Sequence, residues 1–143
     1  MRVVLDASVV VKWLLADPER EADTHIATRL VARVIAGEIA VLQPVHWLLE
    51  VGAVLTRESP ETAIGDIMML RALAFPVSDD PLVLKRALEL ARELRQHVFD
   101  TAYHAIALEM PETTLVTADR RYLTAARAKG RITSLRQFDS ATG

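Results

Sequence analysis

Four acidic residues close or interrupt apolar runs. Asp6 ends Val3-Val4-Leu5, Glu50 sits inside Trp47-Leu48-Leu49-Glu50-Val51, Asp100 follows Val98-Phe99, and Asp119 ends Leu115-Val116-Thr117-Ala118. A carboxylate so placed lies at the edge of a core, where an unpaired charge is costly, so a partner is expected. One shared cation would serve all four. Mg²⁺ takes oxygen ligands, keeps several waters and is usually held by one or two carboxylates together with substrate phosphate. Ions held that way polarise phosphate oxygens, help generate hydroxide and stabilise a leaving oxygen, which is the chemistry a metal-dependent nuclease needs. Two hydroxyls, Ser8 and Thr117, lie two residues from Asp6 and Asp119 and are suited to orienting those carboxylates and their waters.

Each acidic residue also has a plainer use. Asp6 or Ser8 could cap a helix starting there, and Asp119 could cap one starting at Arg120. Asp100 could favour a helix N-terminus through the dipole, and Glu50 could share a solvated stripe with His46, Ala53 and Arg57. All these uses would have to hold together to remove the site. A zinc site is not supported, since no H-E-x-x-H motif is present and His46, Glu50 and His104 make no convincing ligand set. Lys12 reads as a solvated or snorkelling lysine, and Trp13 and Trp47 as core or interface anchors.

The elements that must position these residues follow from periodicity and punctuation. Arg2 to Leu5 reads as a short buried strand, followed by helices over Ser8 to Leu15 and about Glu19 to Ala36, the second stopped by Gly37. Ala40 to Leu42 reads as a strand, Val45 to Arg57 and Glu61 to Leu73 as helices, and Val77 as a brief strand. Asp80-Pro81 opens a helix to about Arg95, and Phe99 to Glu109 forms the next. Thr114 to Thr117 is a strand, Arg120 to Ala128 a helix ended by Gly130, and Ile132 to Leu135 a final strand. Strands alternating with helices predict an α/β fold, a short, mainly parallel central sheet with helices on both faces. In such sheets ligands bind beyond the carboxyl ends of the strands where strand order reverses, and Asp6 and Asp119 both lie at that kind of edge.

Composition bounds the rest. With 143 residues the chain suits one domain, 1–143, with no repeat or low-complexity tract. A hydrophobic fraction of 51% with only 5% aromatics predicts an aliphatic core and apolar surface left for a partner. The helix over Ser8 to Leu15, polar only at Ser8 and Lys12, should be buried on more than one side, with another chain supplying part of the cover. The absence of cysteine excludes disulfides, thiolate zinc sites and a cysteine nucleophile. Asp6 and Lys12 interrupt an N-terminal stretch already too short for an export signal or a spanning helix, so the expected location is cytoplasmic, with no membrane partner. A net charge of −2 argues against coating nucleic acid by bulk charge. From Leu115 onward, however, Arg120, Arg121, Arg127, Lys129, Arg131 and Arg136 face only Asp119 and Asp139, so a local basic rim can adjoin an acidic pocket.

Asp6-Ala7-Ser8 after a strand, Glu50 in the third helix, Asp100 at the head of a late helix and Thr117-Ala118-Asp119 after a strand together resemble the PIN-domain ribonucleases, most closely the VapC toxins of bacterial toxin–antitoxin pairs. The likeness spans nearly the whole chain and rests on four pieces in order, each weak alone. It implies a Rossmann-like sheet and a Mg²⁺- or Mn²⁺-dependent endoribonuclease. Asp6, Glu50, Asp100 and Asp119 match the acidic positions, and Ser8 and Thr117 the accompanying hydroxyls. It also implies a homodimer and a VapB-like antitoxin whose C-terminal segment covers the site, where an arginine or lysine would pair with the carboxylates. Tyr103-His104 carries no family role.

Three rivals stay open. A non-catalytic RNA- or protein-binding module could keep the fold, although intact carboxylates count against it. A haloacid-dehalogenase-type phosphatase would need D-x-D, where this chain has Ser8 in place of the second aspartate. A DNA-directed nuclease is nearer, since metal chemistry on a phosphodiester does not need the 2′-hydroxyl.

Overall fold

Val3, Val4 and Leu5 are consecutive and all fully buried. Because neighbours along a strand point to opposite faces, this requires cover on both sides of the sheet. The computed structural model, which describes residues 1–143, provides it. Strand β1 (Arg2–Leu5) leads into α1 (Ala7–Leu15) and α2 (Thr24–Ile35); β2 (Ala40–Val41) and β3 (Gln43–Pro44) follow, then α3 (Trp47–Glu58), α4 (Ala63–Ala72), β4 (Val77–Ser78), α5 (Pro81–Leu94) and α6 (Val98–Glu109). The last third holds β5 (Thr113–Thr117), α7 (Arg120–Ala126), a single 3-10 turn at Arg127–Lys129, β6 (Ile132–Ser134) and α8 (Leu135–Thr142).

The main sheet has the order β2-β1-β5-β6, with every pair parallel. The chain builds outward from β1 to β2, then returns to the other side of β1 with β5 and β6. Strand order therefore reverses between β1 and β5, whose register runs from Arg2 opposite Thr113 to Leu5 opposite Val116. The predicted α/β class and parallel sheet are found, and a second sheet joins Gln43–Pro44 to Val77–Ser78. One cluster of 32 buried apolar residues fills the space between the sheet and its helices. No helix is long and apolar enough to cross a membrane.

Two devices fix the ends of the central strands. Beyond the short β2, the buried Gln43 side chain continues the ladder: its Nε2 donates to the Leu5 carbonyl at 2.9 Å and its Oε1 accepts from the Leu5 N–H at 2.8 Å. On the opposite edge Asp6 N–H donates to the Val116 carbonyl at 3.1 Å. The turn from β1 into α1 is thus held from both sides. Farther along, the buried His104 donates from Nε2 to the Gly130 carbonyl at 2.8 Å and accepts at Nδ1 from the Tyr122 hydroxyl at 3.0 Å. Burial pushes the imidazole pKa down, so the ring stays neutral and this tautomer ties α6 to α7 and its following turn.

Two expectations need correction. The second helix starts at Thr24 rather than Glu19, because residues after Pro18 form turns in which the Asp17 carbonyl accepts from Arg20 and Glu21, and Asp23 adopts a left-handed φ of 61°. The last strand ends at Ser134, and Leu135 begins a helix absent from the sequence reading; the Ser134 hydroxyl caps it by accepting from Gln137 N–H. Helix α1 packs on α2, α3 and β5 with Val9, Val10 and Val11 buried, while Trp13, Leu14 and Leu15 remain half-buried. The exposed apolar side chains lie elsewhere, among them Leu49 on α3, Ile64 and Met68 on α4, and Leu82 and Leu88 on α5.

Candidate functional site

Asp6 begins the site because it ends the first strand. Its backbone is extended (φ −59°, ψ 149°) and its side chain caps α1, Oδ2 accepting from Ser8 N–H at 3.0 Å. The Ser8 hydroxyl also donates to Oδ2, in a short hydrogen bond, and accepts from Ala118 N–H at 3.0 Å. One hydroxyl therefore couples the carboxylate after β1 to the loop after β5. Thr117, almost fully buried, accepts from Asp119 N–H at 3.0 Å through Oγ1, so it sets the Asp119 backbone rather than a carboxylate. Asp119 caps α7 with Oδ1, accepting from Tyr122 N–H at 3.1 Å, and keeps Oδ2 for other use. The capping role weighed for Asp6 and Asp119 is present, and each carboxylate still lines the cleft.

Glu50 comes from the first turn of α3 and Asp100 from the first turn of α6. His46 brings the two helices together. Its Nε2 lies 2.8 Å from the Phe99 carbonyl and 3.3 Å from the Glu50 carboxylate, and its ring rests 5.1 Å, centroid to centroid, from both Phe99 and Tyr103. Asp6, Glu50, Asp100 and Asp119 open onto one cleft of about 360 Å³, which Ser8, Lys12 and Glu21 also line; Thr117 lines an adjoining cleft instead. The cleft stands at the carboxyl ends of β1 and β5, where strand order reverses.

The electrostatics follow from this crowding. Burial raises the Asp6 pKa to about 6 against the opposing pull of its Ser8 hydrogen bonds, and the negative charges of Glu50 and Asp100 push the same way. Asp100 is also raised, first by burial and then by Glu50 and Asp119, with His97 and Arg121 acting against them. Five carboxylates face a single cation here, Lys12, which Glu21 already engages at 2.8 Å. Such an all-oxygen, anionic donor set fits a hard divalent ion and not zinc. No three acidic or histidine groups are gathered closely enough to grip one ion directly. A divalent ion in this cleft would therefore rest on one or two of these carboxylates rather than on three at once.

Sequence reasoning passed over three contributors. Tyr103 is fully buried and its phenol oxygen has no hydrogen-bond partner; burial first, then Glu50 and Asp6, holds its pKa high, so it remains a proton donor beside the carboxylates. Its sequence signal was position alone, three residues after Asp100. Glu21 was hidden inside an expected helix. Gln43 looked like an ordinary polar residue between strand and proline, with nothing in the sequence to show that it would be buried against Leu5.

A family model described as PIN domain matches residues 3–128. Among curated proteins no significant match is found. A solved structure titled "Crystal Structure of PAE2754 from Pyrobaculum aerophilum" superposes with a TM-score of 0.65 at 19% identity, covering 99% of this chain and 94% of that one, which is a likeness of fold. The matched span runs from β1 through α7 and contains all four cleft carboxylates together with Ser8 and Thr117. The chain belongs to the PIN domain family, whose members are generally nucleases that use divalent metal ions.

Proposed function

We propose that this protein is an endoribonuclease that hydrolyses RNA phosphodiester bonds with Mg²⁺ or Mn²⁺, and that it acts as the toxin of a toxin–antitoxin pair. The observation that carries hydrolysis is the opening of Asp6, Glu50, Asp100 and Asp119 onto one cleft at the reversal of strand order. The choice of RNA and the toxin role are supported by the resemblance of these positions to the VapC toxins. When bound, the ion supplies Lewis-acid polarisation of the phosphate and a water made acidic enough to attack at neutral pH.

The protein's part is positioning. Asp6 is fixed at one oxygen by Ser8, leaving the other for the cleft, and Asp119 divides its oxygens in the same way between Tyr122 N–H and the cleft. Glu50 is held beside His46 at 3.3 Å, and Asp100 is carried on a helix anchored by the buried His104. Pre-oriented carboxylates would hold the cation in place, so that it could offset the negative charge developing on the phosphate without the protein reorganising at that moment.

Purified protein incubated with structured RNA should cleave it in Mg²⁺ or Mn²⁺ and not in EDTA. The Asp6→Asn and Asp100→Asn variants should stay folded and lose cleavage by roughly a hundredfold or more, the scale of losing a positioned electrostatic group. Metal-dependent cutting of DNA with RNA spared would move the substrate class. RNA binding without cleavage in wild type would replace the enzyme with a binding module.

A further inference from the structure

A second cleft, of about 610 Å³, adjoins the acidic one and shares Lys12, Ala118 and Asp119 with it. One wall is the face of α7 and its following turn that presents Arg120, Thr124 and Arg127, at positions i, i+4 and i+7 of one helical stripe. The facing wall is the start of α8, from Ser134 to Gln137, with Ala22 and Asp23 beside it. Of the four cations present, Lys12 pairs with Glu21 and Arg136 pairs with Asp23 at 2.8 Å. The guanidinium groups of Arg120 and Arg127 make no ion pair and no side-chain hydrogen bond, and both residues are exposed. Nothing in the hydrolytic reading uses them.

The sign of charge therefore changes from one cleft to the next. The acidic cleft attracts metal and repels a bare phosphate, whereas the adjoining cleft offers two unengaged guanidinium groups, each able to clasp a phosphate with paired N–H donors. Thr124, Ser134 and Gln137 add neutral polar groups along the way. No aromatic side chain lines this cleft, so bases have nothing to stack on, and recognition falls to the backbone of the strand. At about 610 Å³ the cleft has room for a short stretch of one strand and is far smaller than a turn of duplex.

We propose that the cleft between α7 and the start of α8 is the track for a single-stranded nucleic acid on one side of the scissile bond, with Arg120 and Arg127 binding its phosphates. This rests on the nuclease reading for the position of the scissile bond, but not for binding itself. The track supplies affinity with little dependence on sequence.

The test is fluorescence anisotropy of a short labelled oligouridylate in EDTA, where nothing is cut, over a range of salt. Wild type should bind with a salt-dependent affinity. The Arg120→Gln/Arg127→Gln variant, whose changes lie on exposed side chains and whose fold is checked by circular dichroism, should bind roughly ten- to a hundredfold more weakly. Its log–log salt slope should be shallower by about 1.4, the value for two phosphate contacts on a single strand. An Arg71→Gln/Lys85→Gln control on α4 and α5 should match wild type. An unchanged slope in the first variant, or an equal loss in the control, overturns the track. Tight binding of an oligoglutamate peptide with no binding of oligouridylate also overturns it, in favour of an acidic protein partner. RNA held through Arg120 and Arg127 but left uncut with metal would defeat hydrolysis and sustain the track. Normal cutting together with undiminished binding by the first variant would do the reverse.

Discussion

Asp6 shows how one residue can serve fold and chemistry with opposite consequences. Its pKa, 3.8 in an unfolded chain, rises to about 6 in the metal-free fold. The folded state thus holds a proton that the unfolded state has released between pH 4 and 6, so stability falls as pH rises through that window and stays reduced above it. At roughly 1.4 kcal/mol per pH unit the Asp6 contribution reaches about 3 kcal/mol, and Asp100 adds a loss of the same sign. Urea titrations in EDTA should find Asp6→Asn folded and gaining stability over wild type at pH 7.5 relative to pH 4.5, a comparison in which the opposite pH dependence of the buried His104, present in both proteins, cancels. Mg²⁺ or Mn²⁺ at millimolar concentration should raise the wild-type melting temperature at pH 7.5 and that of Asp6→Asn far less, because binding stabilises only a fold that keeps its ligand. The four carboxylates were legible in the sequence because each breaks an apolar run. Tyr103 was not, since a tyrosine on an apolar helix face looks the same whether its hydroxyl meets solvent or a carboxylate.

At the scale of elements, what positions the site is mostly what patterning alone does not reveal. All strands but β3 (Gln43–Pro44), and most helices, could be read, because branched runs, prolines at helix starts and Gly37 and Gly130 at helix ends are local signals. Helix α8 was missed although Ser134-x-x-Gln137 is a capping-box pattern and Leu135 and Phe138 stand three apart on its buried face; its eight residues follow directly on a strand, and the strand pattern masked it. The start of α2 was misplaced because Pro18 is compatible with either a helix or a turn. Gln43 depends on tertiary structure entirely: it matters because β2 ends opposite Val3, two residues before Leu5. Gln43→Leu should destabilise the protein by roughly 2 to 4 kcal/mol, since both the N–H and the carbonyl of Leu5 lose a buried partner. Chemical denaturation would measure this, and a loss below about 0.5 kcal/mol would show that the ladder extension holds nothing.

For the molecule as a whole, a cleft of like charges at the reversal of strand order and a wide apolar exterior on α3, α4 and α5 set the expectations about partners. Leu49, Ile64 and Leu88 are each more than 60% exposed. They supply the apolar area that the composition led us to expect, on helices other than α1. Multi-angle light scattering of the isolated protein should find a dimer, and the product of an adjacent small reading frame should bind it and suppress RNA cleavage. A monomer at tens of micromolar (a Kd worth about 6 to 7 kcal/mol), fully active and indifferent to that neighbour, would remove the toxin role and leave the nuclease standing.

The Ser8 hydroxyl joins two stretches of chain 110 residues apart, and β1 cannot pair with β5 until the last third of the polypeptide exists. During synthesis the first carboxylate emerges almost at once, while Asp119 and the strand that supports it come last. Contacts so distant along the chain make for slow closure. A chain that stops before β5 lacks Asp119 and the strand that positions it, so the cleft is incomplete until the last third of the polypeptide exists.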